Sequence, residues 1–123
     1  GKILWNKRIA KEQMSVDDSG PYSSFASGFS NEKLVLLFND HPDNTALLAE
    51  NGKSRLKPFR SFGKSVITLV EITSEGQLKR KTLSDSRVEN CIFKPKLSLM
   101  HNTGVWLYAD YRRDYRFGEL LIN

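Results

Sequence analysis

The feature that most constrains this chain is an internal duplication. Residues 23–40, SSFASGFSNEKLVLLFND, read as an extended segment, a short polar turn and a strongly apolar strand running back. The same arrangement recurs at 94–111, KPKLSLMHNTGVWLYADY. A register shift of 71 sets Phe29 over Met100, Asn31 over Asn102, Leu34 over Val105, Leu36 over Leu107 and Asn39 over Asp110. Within the first copy, KLVLLF at 33–38 is rich in branched residues and is the best strand in the chain.

The remaining segments fit around these two hairpins. Residues 2–9, KILWNKRI, have a short apolar centre with no helix-length stripe and read as a strand. Residues 10–22 carry Asp-Asp-Ser-Gly-Pro and read as a loop. SVITLVEIT at 65–73 is a strand, Ser74, Glu75 and Gly76 a tight turn, and 77–83 its return partner. Residues 84–90 read as another loop, 92–100 and 105–111 as the second hairpin, and 115–122 as the last strand. Pro95 within 92–100 fits a sheet edge, a strand start or a bulge. Gly28 marks a place where a neighbour approaches closely. Residues 39–64 interrupt the first copy as an insertion, in which TALLAE at 45–50 suits one helical turn or a short strand.

The expected class is therefore all-β, with two four-stranded antiparallel units related by the repeat. Repeats of this size suggest β-propeller-like blades, and two blades do not close a ring of about 4 to 8. The chain is then a single all-β domain over 1–123 or a two-blade fragment, and a small β-sandwich or eight-stranded barrel is the alternative.

The segments GKILWNKRIAKEQ, SGPYSSFA, LVLLFNDHPDN and FKPKLSLM…VWLYADYRRDYRFGEL resemble the C-terminal part of large uncharacterised exported bacterial proteins with β-propeller-like repeats. That resemblance implies blade architecture and a location in the periplasm or at the cell surface. It carries no catalytic residues with it.

Composition narrows the function classes. The longest apolar run is 34–38, far short of the ~20 residues of a membrane-spanning helix. Cys91 is the single cysteine, so neither an internal disulfide nor a cysteine-based zinc cage is available, and its apolar neighbours suit a packed thiol. The net charge of +5 is uneven: residues 1–52 hold 5 Lys/Arg against 7 Asp/Glu, and residues 53–123 hold 14 against 7. A basic half suits an anionic partner and serves solubility equally well.

In a meander, successive turns alternate between the two ends of a sheet. The short turns at 31–32, 74–76 and 101–104 share one end. The loops at 10–22, 39–64 and 84–90, with the turn at 112–114, share the other, and a binding site is expected at this loop-rich end. Its candidates are acidic (Asp17, Asp18, Asp40, Asp43), basic (Lys53, Arg55, Lys57, Arg60, interleaved with Phe59 and Phe62), and Tyr22 and His41 beside them. Loop carboxylates suit Ca²⁺ or a glycosidase pair, although Asp, Asn and Pro are also ordinary turn chemistry. Cations among phenylalanines suit phosphate contact and base stacking, or solvated charges above a loop pinned by its rings. Tyr108, Tyr111 and Tyr115 with Arg112, Arg113 and Arg116 suit sugar or protein contact, or cross-strand packing. His41 and His101 fall at opposite ends, so no shared metal is expected. No nucleophile elbow, phosphate-cradling loop or zinc spacing occurs. The expectation is a non-enzymatic module without cofactor that binds a protein or glycan and is open to self-association. A glycoside-hydrolase fragment and nucleic-acid binding through 53–64 are the alternatives.

Overall fold

The structure, a computed structural model, describes residues 1–13, 20–51, 55–58, 62–85 and 90–122. Strand β1 (Phe25–Ser30), β2 (Lys33–Asp40), β3 (Val66–Ile72) and β4 (Leu78–Asp85) form an antiparallel meander in that spatial order. In the second sheet β5 (Ile92–Phe93) and β6 (Leu99–His101) lie along one side of β7 (Gly104–Tyr111), and β8 (Asp114–Leu121) along the other. The class is all-β with two antiparallel sheets. They are not closed into a barrel: among the described residues β4 pairs only with β3 and β8 only with β7, which sets aside the eight-stranded barrel.

Alternation explains how one strand serves two layers. On β2, Val35 and Leu37 point between the sheets and join Ala26, Leu69, Phe93, Val105 and Ile122 in the main core. Leu34, Leu36 and Phe38 point the other way and pack with Val70, Ile72 and Ile9. The unbroken apolar run of β2 is thus the signature of a strand covered on both faces.

The N-terminal segment provides that second cover. The strand expected at 2–9 is not formed; these residues are irregular, with Ile3 and Leu4 exposed. The reason is placement: a strand needs an edge to pair with, and this segment crosses a sheet face instead. Trp5 anchors it on the β3–β4 turn, donating from its indole N–H to the Ser74 carbonyl at 2.8 Å. Gly76 is required there, because its φ is +78° and a Cβ would lie 2.7 Å from the Trp5 ring.

Two further expectations change. The 92–100 segment is broken by a 3₁₀ turn at Pro95–Leu97, since proline has no N–H for the ladder. Ser98 repairs the gap: its hydroxyl accepts the Tyr108 N–H at 3.1 Å. The insertion at 39–64 contains helix α1 (Asn44–Asn51), so TALLAE is not a short strand and its helix exceeds one turn, and a 3₁₀ turn at Phe62–Lys64.

The short turns do meet at one end. Asn31 and Glu32, at φ 49° and 61°, form a tight hairpin of the kind whose twist suits paired strands. The Asn31 N–H and Ser30 hydroxyl both donate to the Asn102 carbonyl, at 3.3 and 3.1 Å, so the two hairpin tips touch. Behind them β1 packs on β6, with Gly28 so close that a Cβ would lie 2.7 Å from the Met100 side chain. The expected close approach at Gly28 is therefore real.

Candidate binding site at the loop-rich end

At the opposite end β2 delivers Asp40, and everything around it is built to hold that carboxylate. Asp40 has no exposed surface. Arg80, one strand beyond β3, forms an ion pair with its Oδ2. Oδ1 accepts the His41 N–H at 2.8 Å and the Asn44 side-chain amide at 2.7 Å. A buried charge left alone is strongly unfavourable, so these partners are what allow Asp40 to remain inside.

Asn44 then organises the insertion. Fully buried at the start of α1, it donates to the Lys57 carbonyl at 3.0 Å and accepts the Lys57 N–H at 2.9 Å. Lys57 in turn places its ammonium 2.5 Å from Asp43. Asp43 donates its backbone N–H to His41 Nδ1 at 3.2 Å. Asp40, His41, Asp43 and Lys57 are therefore brought together, as a framework that closes a loop. Tyr22 does the same work elsewhere: its hydroxyl donates to Asp110 at 2.7 Å and its carbonyl accepts from Asn39 at 3.0 Å, tying the two sheets together. Lys94 completes that clasp, 2.5 Å from Asp110 and above the Tyr22 ring.

Asp17, Asp18, Lys53, Phe59 and Arg60 lie outside the described residues. Among the described residues, no group of three His, Cys, Asp or Glu is arranged to hold a metal ion. No helix among them is long and apolar enough to cross a membrane.

Neither a family model, nor a curated protein, nor a solved structure matches the chain.

The functional reading therefore rests on geometry, and a concave surface lies beside the Asp40 framework. A cleft of about 840 Å³ runs along the outer face of the first sheet, between the N-terminal segment and α1. Its floor and walls include Ile9, Leu48, Leu56, Val70 and Leu78; among the described residues its charges are Arg8, Lys11, Arg55 and Arg80 against the acid Glu12. Arg8 and Arg55 are exposed. Arg80 is almost covered, donates to the Ala10 carbonyl at 2.7 Å, and leaves Nε without a partner. Lys11 donates to the Ser23 carbonyl at 2.8 Å; burial pulls its pKa below the usual lysine value, partly offset by the Asp40 charge.

Of the predicted residues that the structure describes, only Arg55 lines this cleft. Arg80 and Arg8 were missed because they sit in segments read as strands, and Lys11 because only the acids and Tyr22 were taken from the 10–22 loop. The sequence signal was present in the basic stretches KRIAK and LKRK, but nothing in it said that 7–11 and 78–81 converge.

The tyrosine–arginine set behaves as sheet surface. Tyr108 packs against Phe117 and Tyr115 across the strand pair, with centroids 5.2 and 6.5 Å apart, and Tyr111 lies on the other face beneath Arg112. Trp106, Tyr115, Phe117 and Leu99 leave this outer face of the second sheet widely exposed.

Proposed function

We propose that the chain is a non-enzymatic recognition module that takes an acidic segment of a partner protein in the cleft beside α1. The observation that supports this best is an excess of cations among the described lining residues, Arg8, Lys11 and Arg55 against Glu12, beside an apolar floor. An acidic peptide with apolar side chains satisfies both parts, whereas a glycan has carboxylates or sulfates but little to place on Val70, Leu48 and Leu56. A bound carboxylate would also offset the burial of Lys11.

The hydrolase alternative loses ground because Asp40 has no surface and is held by Arg80, and Asp43 is engaged by Lys57. The nucleic-acid alternative keeps only Arg55 of its described cations in the cleft, since Lys57 pairs with Asp43.

The two sheets belong to the same proposal as successive propeller-like blades. Their inner strands β1 and β6 touch while β4 and β8 remain free at the other side. The shift of 71 pairs the outer face of β2 (Leu34) with the inward face of β7 (Val105), so a given face of one unit meets the opposite face of the next. Export is part of this reading and rests on the sequence resemblance alone.

Calorimetric titration with a Glu-rich peptide carrying Leu and Phe, and separately with a sulfated glycan, tests the cleft. Peptide affinity should fall steeply between low and physiological salt. Arg8→Glu with Arg55→Glu should reduce it at least tenfold without changing the melting temperature. Unchanged peptide binding in that variant, or preference for the glycan, would reject the assignment.

A further inference from the structure

A second hollow, unrelated to the cleft, lies between the sheets on the side away from the β1–β6 contact. It measures about 210 Å³ and is bounded by Asn39, Ile67, Phe93, Leu107 and Ala109, with Gly118 opposite Leu107.

Two features set it apart from a packing gap. Asn39 is 1% exposed, and its amide nitrogen is committed to the Tyr22 carbonyl at 3.0 Å and the Phe93 carbonyl at 2.7 Å. This fixes the amide orientation and leaves Oδ1 as a buried acceptor with no hydrogen-bond partner among the described residues. An unsatisfied acceptor of this kind is unfavourable and calls for a donor, whether a ligand or an ordered water. The second feature is Gly118. Its φ is not in the left-handed region, and a Cβ there would meet nothing within 4 Å. Neither turn geometry nor crowding calls for glycine at this position, in the interior of β8, where glycine weakens a strand. Its effect is to keep the space open.

We propose that this chamber binds a small apolar ring compound carrying one hydroxyl group. The hydroxyl donates to Asn39 Oδ1 while the ring rests against Phe93 and Leu107. Size is consistent: an engineered apolar cavity of ~150 Å³ admits benzene. Among the described lining residues only the exposed Arg116 carries a charge, so the buried Asn39 oxygen favours a neutral hydroxyl over an ionised group.

The test uses the intact chain with phenol, anisole and toluene as probes, followed by calorimetry and by chemical-shift changes of the Asn39 and Gly118 amides. Phenol should bind roughly tenfold more tightly than anisole or toluene, the ratio expected when a buried acceptor gains or lacks its donor. Gly118→Val should abolish phenol binding while the melting temperature holds or rises, because the side chain fills the hollow. Gly118→Ala, the smaller change, should weaken binding several-fold and covers the case in which valine disturbs folding. Equal affinity for phenol and toluene would overturn the role of Asn39. Failure of every probe to bind, as expected if an ordered water alone serves Oδ1, would overturn the site. So would undiminished phenol binding in the Gly118 variants.

Discussion

The outer faces of the two sheets make an instructive pair. Both central strands, β2 and β7, are eight residues long and both follow a tight hairpin from an inner neighbour. Outside β2, the N-terminal segment and α1 lay down a third layer, so Phe38 is fully buried and Asp40 is sealed with Arg80. Outside β7 no described residue covers the sheet: Trp106 is 56% and Phe117 81% exposed. Similar strands thus reach opposite environments because of what crosses above them. The covered face gains a buried ion pair and a basic cleft; the bare face keeps an aromatic surface that packs mainly on itself.

The sharpest way to break this comparison is aromatic truncation on each face. Phe38→Ala should cost about 3–5 kcal/mol, as for a buried ring. Phe117→Ala should change stability by no more than ~0.5 kcal/mol, as for a surface site. Urea denaturation of both variants checks it, and comparable losses would mean that the second sheet is covered too.

The carboxylates allow a finer division. Asp40→Ala leaves Arg80 buried without its partner and should cost about 3–5 kcal/mol. Asp110→Ala removes contacts to Lys94 and Tyr22, which are less deeply covered, and should cost about 1.5–3 kcal/mol, the range for charge-assisted hydrogen bonds. A reversed order in guanidinium melts would show that the Tyr22 clasp, and not the Asp40 framework, holds the loop-rich end.

The smallest effect expected is a pH response of the covered face. Burial lowers the Lys11 pKa from 10.5, so the folded protein gives up that proton before the unfolded chain does. Below the lowered value both states carry the charge and the folded state bears the unfavourable burial in full. As pH rises from there towards about 10.5, the unfolded state binds more protons and Lys11 contributes a gain in stability. Comparing denaturation midpoints of the parent and Lys11→Met across this window should show the gain only in the parent. A matching slope in both would detach Lys11 from the effect.

Several of these features were legible in the residues. Hairpin positions followed from Asn31, Asn102 and the branched runs beside them, because turn chemistry and period-two alternation act over a few residues. The loop-rich end followed from connection lengths. The site did not follow in the same way. Asp40, His41, Asp43 and Lys57 do converge, yet their roles are structural, since sequence shows a charge without showing the partner that neutralises it. Asn44 and Arg80 went unnoticed for the complementary reason: an amide in a turn and an arginine in a strand look ordinary until burial is known.

Local preference alone determined the all-β class, the tight hairpins and the break at Pro95, where an absent N–H forbids a continued ladder. Tertiary packing decided the rest. Residues 2–9 have the composition of a strand, but they lie across a sheet face, where Ile9 packs on the apolar cluster of Phe38, Val70 and Ile72 and Trp5 packs on Gly76. That choice depends on contacts some seventy residues away in the chain, as between Trp5 and Ser74, and no local pattern can encode which distant surface will be left uncovered.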